Sequence, residues 1–339
     1  MAKNSNLHAA KTAKNDEFYT QLTDIEKECK HYRDFFRGKV VYCNCDDARE
    51  SNFFKYFAMN FEFLGLKKLI TTGFKDDGHG VILTYDGDKN GNHIIDDEEI
   101  VVTEMQGNGD FRSEECIAIL KEADVVVTNP PFSLFREYVA QLMEYNKKFL
   151  IIGNGNAITY KEIFTIIKGN KMWLGMKNYG SKFHFIIPDG FEMKSSYYDE
   201  NGVRYGAVNN AIWFTNIPNA KRNQPIDLYK KYSAEEYPTY DNYNAINCDK
   251  VSDIPMDYDG VIGVPITFLD KYCPEQFEII GLGIANLGLS IGVRGYLPEH
   301  RDYRKNIEHK GTVDGDLYYL DENGHPKVPY ARILIRAKH

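Results

Sequence analysis

The sequence lacks the cysteine patterns and the long apolar runs that mark several classes of protein. It contains no Cys-x-x-Cys pair and no spacing typical of a zinc site. No apolar run approaches the length of a membrane span, and residues 1–18 lack the apolar segment of a signal peptide. We therefore predict free thiols in a reducing compartment, by default the cytoplasm, with no bound metal and no membrane partner. The cysteines are Cys29, Cys43, Cys45, Cys116, Cys248 and Cys273.

A strong charge of one sign is also absent. The formal net charge of -8 argues only weakly against a nucleic-acid partner, because a basic face can coexist with an acidic remainder. Hydrophobic residues make up 43% of the chain and charged residues 27%, which is typical of a soluble globular protein. The length of 339 residues allows one large domain or two of medium size.

Predicted strands and helices alternate over residues 38–170. Several of the strands are apolar throughout, for example at 125–127 and 149–152. Such strands are typical of a parallel sheet that is covered on both faces. The predicted fold class is therefore α/β, with a doubly wound and mostly parallel sheet.

The pattern changes after residue 170, where predicted strands follow one another without intervening helices. We therefore expect the sheet to end in an antiparallel pair. Beyond Pro218 the chain is rich in Tyr and Pro, which indicates a domain boundary. The predicted divisions are a basic flexible arm at 1–15, an α/β domain at 16–217 and a smaller irregular domain at 218–339. The three late strands are expected within 171–176, 183–188 and 210–217.

Asn-Gly turns between apolar runs predict β-hairpins at 85–92, 198–202 and 320–324. The first turn also matches part of a calcium-binding EF-hand loop. Its flanks are typical of strands and its twelfth position is Asp rather than Glu, so the hairpin is favoured over the calcium site. The matching residues are Asp86, Asp88, Asn90, Gly91 and Asp97.

The sequence Asn129-Pro130-Pro131-Phe132 follows an apolar strand and precedes a helix predicted to begin at Ser133. The prolines end the strand because neither can donate to a sheet. In an open α/β sheet, ligands bind beyond the carboxyl ends of the strands. The side-chain oxygen of Asn129 and the carbonyl of Pro130 make two rigid acceptors that suit an amino group. Phe132 offers a flat face for stacking.

This tetrad describes a pocket for a planar base that carries an exocyclic amine. Such an amine is a poor nucleophile because its lone pair is delocalised into the ring. Two aimed acceptors stabilise the positive charge that develops as the amine attacks an electrophile. A stacked duplex denies access to the amine, so the base must be flipped out. The alternative interpretation is a plain turn that ends a strand.

Two further loops carry polar residues at the ends of predicted strands. Asn44, Asp46 and Asp47 can accept hydrogen bonds from the amino group or the ribose of a ligand. Helix capping by Asp47 or Ser51 explains this loop equally well. The Asp110-Phe111 pair follows flexible glycines and is suited to contact a cofactor adenine. The Asp110 carboxylate would contact the adenine amine, and the Phe111 ring would pack on the adenine ring.

In combination these segments resemble the EcoRI-type DNA adenine-N6 methyltransferases. The resemblance covers nearly the whole chain and rests on the following segments: "DEFYT", "VVYCNCDDARESNFFKYF", "GNGDFRS", "VVVTNPPFSLFREY", "KFLIIGN", "ITYKE", "YPTYDNYNAINCDKVSDIP" and "GVPITFLDKYCPEQFEIIG". It implies a Rossmann-like fold and S-adenosylmethionine (SAM) as methyl donor. It also implies that the tetrad Asn129, Pro130, Pro131 and Phe132 methylates N6 of a flipped adenine in duplex DNA.

The resemblance also implies a set of cofactor contacts. The loop after the first strand has no glycine, although this motif is usually rich in glycine, and "LITTGF" lacks the expected acidic residue. The ribose partner is therefore unassigned. The implied contacts are Tyr19, Thr20, Asn44, Cys45, Asp46, Asp47, Asp110 and Phe111.

Double-stranded DNA is the partner that the resemblance implies. The region 16–217 would then be the SAM-binding catalytic domain and 218–339 the target-recognition region. A restriction endonuclease acting separately is a candidate partner, unless the protein is an orphan or phage methylase. RNA adenine methylation, protein glutamine methylation and a non-catalytic binding module are the alternatives. Backbone contacts are expected from Arg294, Arg301, Arg304 and Lys305, although ordinary solvated surface explains such a cluster equally well.

Overall fold

The computed structural model describes residues 19–46, 48, 50–75, 78–92, 94–180, 183–186, 196–208 and 210–338. The basic arm predicted at 1–15 and the loop residue Asp47 lie outside these residues. The chain forms two compact units. The first comprises the described residues up to Ala157 together with Trp173–Asn219, and the second comprises Ile158–Met172 together with the described residues from Ala220 onward.

Two β-sheets form the frame of the first unit. Their strands, in chain order, are β1 (Tyr19–Thr20), β2 (Val40–Asp46), β3 (Lys68–Gly73), β4 (Val81–Tyr85), β5 (Val101–Glu104), β6 (Val125–Thr128), β7 (Lys148–Asn154), β8 (Trp173–Leu174), β9 (Phe183–Ile186), β10 (Ser196–Tyr198), β11 (Arg204–Val208) and β12 (Ala211–Thr215). The larger sheet has the order β5-β4-β3-β2-β6-β7-β12-β8.

The centre of the larger sheet is parallel, as the sequence predicts. Strands β3, β2, β6 and β7 run in one direction, and every residue of β6 is buried. Burial on both faces explains the apolar runs 125–127 in β6 and 149–152 in β7. The predicted antiparallel end is also present, since β12 pairs antiparallel with both β7 and β8. The α/β class with a mostly parallel sheet is therefore confirmed.

One of the late strands is not part of the larger sheet. β9 pairs instead with β1 and β11 in a small antiparallel sheet of order β1-β9-β11-β10. Phe183 and Phe185 of β9 are fully buried, and the Phe183 ring lies 6.2 Å from the ring of Trp213. The apolar side chains of β9 pack against the face of the larger sheet, so β9 lies outside the antiparallel end that the sequence predicts.

The helices of the first unit are short, and two of those described begin at a serine cap. Ser51 caps α3 by accepting hydrogen bonds from the backbone N–H groups of Phe53 and Phe54 at 3.2 and 3.4 Å. Ser113 caps α5 in the same way. The helix after the tetrad begins at Phe135, later than predicted, because a 3₁₀ turn occupies Phe132–Leu134. The helices are α1 (Leu22–Cys29), α2 (Arg33–Phe36), α3 (Asn52–Met59), α4 (Phe61–Leu64), α5 (Glu114–Glu122) and α6 (Phe135–Glu144).

The predicted hairpins are observed, although the first has a long connection. β4 and β5 pair antiparallel across the loop 86–100, and β10 pairs with β11 across a shorter turn. In the long loop, the Asp88 carboxylate accepts from the Gly91 N–H at 2.6 Å, and Asp96 accepts from the Asn90 and Asn92 amides at 2.7 Å. The conformation of this loop is therefore explained by hydrogen bonds between its own amides and carboxylates. Within the described ranges, no group of three His, Cys, Asp or Glu side chains is arranged to hold a metal ion.

The second unit is built around a smaller sheet of order β13-β14-β18-β15. Ile333, Leu334 and Ile335 of β18 are fully buried at its centre. Helix α7 belongs to this unit, and its Lys168 ammonium donates to the Ile280 carbonyl at 2.6 Å. The elements are α7 (Lys161–Lys168), β13 (Ile246–Asn247), β14 (Ile262–Pro265), β15 (Phe277–Gly283), α8 (Ala285–Ser290), α9 (Pro298–Asp302), β16 (Tyr319–Leu320), β17 (Pro326–Lys327) and β18 (Arg332–Ala337).

The third predicted hairpin lies in this unit, where β16 and β17 pair antiparallel. The cysteines that the structure describes are free, as the sequence predicts, and the structure also shows that their side chains are buried. Among the described helices, none combines the length and the apolar character needed to cross a bilayer.

Candidate active site

The carboxyl ends of the central strands bring three of the predicted loops to one edge of the sheet. Val41 and Tyr42 of β2 pair in register with Val125 and Val126 of β6. This register carries Asn44 alongside Thr128, and the Thr128 hydroxyl donates to the Asn44 carbonyl. The predicted cofactor loop and the tetrad are therefore joined directly at the residue before Asn129.

The tetrad leaves the sheet as a rigid and largely buried segment. Asn129 is 8% exposed, and Phe132 is partly buried against the hydrophobic core of the unit. The Pro131 carbonyl accepts from the Leu134 N–H at 3.0 Å, which closes the turn into α6. Because neither proline has an N–H, this corner presents carbonyl oxygens without competing donors.

Helix α6 is held against the sheet by a contact that requires glycine. A Cβ built on Gly153 of β7 would lie 2.4 Å from the ring of Phe135, the first residue of α6. Phe135 is 1% exposed and its ring lies 4.9 Å from that of Phe214. The exit of the tetrad therefore has a fixed position relative to β7.

Asn44 is engaged within the protein. Its side chain is 3% exposed, and its Oδ1 accepts a hydrogen bond from the hydroxyl of Tyr138 in α6. Sequence reasoning missed Tyr138, because its spacing with Phe135 and Leu142 is that of an ordinary buried helix face. Of the other predicted cofactor residues in this loop, Cys45 and Asp46 are described only as strand positions at the end of β2.

The loop carrying Asp110 lies on the end of β3. A Cβ on Gly109, whose φ is +84°, would lie 2.4 Å from the Gly73 carbonyl at the end of that strand. The backbone N–H of Lys75 donates to the Asn108 carbonyl at 2.8 Å. Asp110 is thereby brought to the strand end where the sequence lacks the expected acidic residue.

Arg112 orients the Asp110 carboxylate. Its Nε and Nη2 donate to the two carboxylate oxygens at 2.8 and 2.6 Å, a bidentate geometry. These hydrogen bonds hold the pKa of Asp110 below its ordinary value, against the opposing effect of partial burial. Arg112 also approaches Glu137 of α6 at 3.4 Å. Sequence reasoning missed Arg112, although its position two residues after Asp110 was a usable signal.

Phe111 packs against the same helix. Its ring meets that of Tyr138 edge to face at 5.0 Å, and its carbonyl accepts from the Gln141 amide at 3.1 Å. Phe111 is 6% exposed. Helix α6 therefore contacts the β2 loop through Tyr138 and the Asp110 loop through Phe111, while its first turn follows the tetrad.

Near this edge, the buried side-chain hydroxyl of Thr20 is available to a ligand. It is 2% exposed, and its Oγ1 has no hydrogen-bond partner among the described residues. Its carbonyl accepts from the Asn52 amide at 2.8 Å, which ties β1 to the start of α3. A buried hydroxyl without a partner is costly, and a polar ligand relieves that cost. Tyr19 is described here only as a strand position in β1.

In the basic segment 294–305 of the second unit, most of the cationic side chains bond other groups of the protein. Arg304 is 8% exposed and donates to Glu308 at 3.1 Å, while Arg301 donates to Asp314 at 2.6 Å. Arg294 is exposed and donates to a backbone carbonyl at 2.5 Å. Lys305 is exposed, and it has no hydrogen bond or ion pair with any residue that the structure describes. Of these four residues, Lys305 is therefore the most readily available for an external phosphate.

The chain matches the family described as "Adenine-specific methyltransferase EcoRI" over residues 6–338. It is 47% identical to the type II methyltransferase M.EcoRI of Escherichia coli, over 99% of this chain and 98% of that protein. It is 38% identical to type II methyltransferases of Mycoplasma genitalium and Mycoplasma pneumoniae, over 81% and 90% of this chain and 85% and 94% of theirs. The chain belongs to the EcoRI family of adenine-specific methyltransferases.

Proposed function

We propose that this methyltransferase transfers the methyl group of SAM to N6 of an adenine that is flipped out of duplex DNA. The observation that supports this most directly is the rigid corner after β6, where Asn129 and Pro130 end a buried strand beside Phe132. Modification of host DNA in a restriction–modification system is the setting that the type II relatives favour, with a restriction endonuclease as a separate partner. The free described cysteines suit the reducing cytoplasm.

In this proposal the residues of the tetrad act on the target base. The Asn129 side-chain oxygen and the Pro130 carbonyl accept the two hydrogens of the N6 amine. These two oxygens interact more strongly with the amine as it gains positive charge, so they stabilise the transition state more than the ground state. Phe132 stacks on the base, a contact worth roughly 1–3 kcal/mol. Pro131 fixes the angle at which Phe132 leaves the corner.

The cofactor contacts are proposed at the same edge. SAM supplies the methyl group as an electrophile. The Thr20 hydroxyl and the oriented Asp110 carboxylate suit polar groups of such a ligand. Tyr19, Cys45, Asp46 and Asp47 are proposed as further contacts on the basis of the family resemblance alone. Asn44 and Phe111, both packed against Tyr138, hold the shape of this site and offer little free surface for direct contact.

We propose that target recognition belongs to residues 218–339. Lys305 and Arg294 are the strongest candidates for phosphate contacts there, because both are exposed. Arg301 and Arg304 fit the same surface less directly, since each is paired with an acidic side chain.

The experiment that tests the proposed activity uses purified protein, SAM with a labelled methyl group and unmethylated duplex DNA. We expect the label in N6-methyladenine after hydrolysis of the DNA. Asn129→Ala should lower turnover by about 100-fold or more while calorimetry finds SAM affinity unchanged. Label in cytosine, or labelling of RNA or protein in preference to DNA, would refute the proposal.

A matched control is available in the same unit. Asn219 is 7% exposed, close to the 8% of Asn129, and it donates to the Tyr32 hydroxyl and the Leu174 carbonyl at 3.3 Å. It follows β12, which runs antiparallel to β7, so it lies beyond the amino ends of the parallel strands. Asn219→Ala should therefore lower stability without a comparable loss of turnover. Equal losses in both variants would indicate a general packing defect.

A further inference from the structure

A cluster of amides lies at the end of the strand next to the tetrad. β7 ends in the sequence Gly153-Asn154, followed by Gly155-Asn156. β6 and β7 are parallel, with Thr128 opposite Ile151, so the last residues of β7 reach the edge that Asn129 occupies. The function proposed above assigns no role to this cluster.

Asn154 lies on the same face of the sheet as the core against which Phe132 packs. Leu150 and Ile152 of β7 belong to that core, together with Val127 of β6. Side chains alternate along a strand, so Asn154 follows Ile152 on this face. Gly153 lies on the opposite face, where the ring of Phe135 packs directly against its backbone.

Hydrogen bonds fix the orientation of the amides. Asn154 Oδ1 accepts from the Asn156 N–H at 2.9 Å and from Asn210 Nδ2 at 3.2 Å. Asn210 Nδ2 also donates to Asn156 Oδ1 at 2.8 Å. A Cβ on Gly155 would lie 2.6 Å from Asn210 Oδ1 and 2.8 Å from the Tyr179 hydroxyl, so a larger residue there would displace the amide of Asn210.

These bonds leave one donor available. Both bonds to the Asn154 side chain use its oxygen, and its Nδ2 has no hydrogen-bond partner among the residues that the structure describes. The Asn154 side chain is partly exposed, so a ligand can reach it. An amide N–H₂ whose oxygen is anchored twice is a donor with a set direction.

We propose that Asn154 Nδ2 donates to the ring nitrogen beside the amine of the target adenine. This inference rests on the proposed function, in which Asn129 and Pro130 already accept the two amine hydrogens. Adenine carries an unprotonated ring nitrogen, N1 or N7, on each side of C6, so a donor at this position completes recognition of the base. Guanine carries an N–H at N1 and would oppose a donor placed there.

The sharpest test is Asn154→Asp, which is nearly isosteric. The aspartate keeps an oxygen for the Asn156 N–H and for Asn210 Nδ2, but it removes the donor and adds one negative charge. We expect kcat/KM on target DNA to fall by about 10- to 100-fold, with SAM affinity unchanged.

Asn216→Asp is the control for added charge. Asn216 Oδ1 accepts from the Phe149 N–H at 2.9 Å near the start of β7, so that variant also keeps its oxygen and loses its donor. Equal loss of kcat/KM in both variants would overturn the role of Asn154.

Base analogues test the same bond without a change in the protein. Duplexes carry 1-deazaadenine or 7-deazaadenine at the modified position. The parent protein should lose about 10- to 100-fold in kcat/KM on one of the two, and Asn154→Asp should show little further loss on that analogue. Equal rates of the parent protein on adenine and on both analogues would overturn the inference.

A separate measurement distinguishes failure of this inference from failure of the proposed function. 2-Aminopurine at the target position reports base capture by fluorescence and requires no turnover. Absence of adenine methylation by the parent protein would refute the proposed function. A parent protein that methylates adenine, combined with the same fluorescence titration for Asn154→Asp and the parent, would refute the role of Asn154 alone.

Discussion

The hydrogen bond between Tyr138 and Asn44 allows a quantitative test of how the site is held together. Tyr138 is fully buried in α6, and Asn44 is 3% exposed at the end of β2. Tyr138→Phe removes the hydroxyl that donates to Asn44 Oδ1 and leaves the size of the ring unchanged. The amide oxygen then remains buried without this donor.

The expected loss follows from that burial. A buried polar group that loses its partner costs about 1–3 kcal/mol in the free energy of unfolding. For a unit of this size we expect a fall in Tm of about 2–12 °C in its unfolding transition. Asn44→Leu should cost a comparable amount, because it leaves the Tyr138 hydroxyl facing an apolar group.

The double variant separates this bond from general packing. When both partners are made apolar, no buried oxygen is left without its donor, so the double variant should be less destabilised than the sum of the single changes. Circular dichroism during urea unfolding gives the three free energies. Additivity to within about 0.5 kcal/mol would refute the reasoning. Tyr32→Phe is the control, because the Tyr32 hydroxyl bonds Glu28 instead and should show no coupling to Asn44→Leu.

Three further predictions concern Asp110, Gly153 and the basic segment. Asp110→Asn should lower SAM affinity by a factor that is constant between about pH 5 and 8, because the lowered pKa keeps this carboxylate ionised until the pH falls below its ordinary value of about 3.9; a factor that changes within that range in calorimetric titrations would contradict this. Gly153→Ala should lower Tm and turnover together, since the new Cβ would meet Phe135 at 2.4 Å; an unchanged melting curve would contradict this. Lys305→Ala should weaken binding to cognate and unrelated duplexes alike and reduce the slope of log binding constant against log salt concentration by about 0.9. Arg304→Ala is the control and should chiefly lower the stability of the second unit, because Arg304 is paired with Glu308. An unchanged slope for Lys305→Ala would contradict a phosphate contact.

The parallel core of the larger sheet could be predicted because its signal is local. The run from Val125 to Val127 is apolar, and two prolines follow it at 130 and 131, so both features can be found from neighbouring residues alone. The position of the tetrad at the edge of the sheet then follows from the general rule for ligands in open α/β sheets. The sequence predicts Ser51 as one of two capping candidates, because a cap is also a local arrangement.

Features that depend on distant partners could not be predicted in the same way. β9 has the apolar composition of a strand of the larger sheet, but composition does not say which strand will pair with it. The bond between Tyr138 and Asn44 joins residues 94 positions apart, and each residue by itself has an ordinary alternative role. Arg304 looked like a surface cation, yet its long side chain is buried and paired with Glu308.

The alternation of side chains divides the edge of the sheet into two sites that share one backbone. Val127 and Ile152 point to the face where Phe132 packs, whereas Asn44 meets Tyr138 on the face covered by α6. We therefore expect substitutions on the first face to act on capture of the base, and substitutions around Tyr138 to act on stability and on cofactor affinity. The Thr128 hydroxyl joins the ends of β6 and β2, since it donates to the Asn44 carbonyl directly before the tetrad. A change at Thr128 should therefore affect both properties at once, because the proposed cofactor loop and the tetrad would lose the hydrogen bond that joins them.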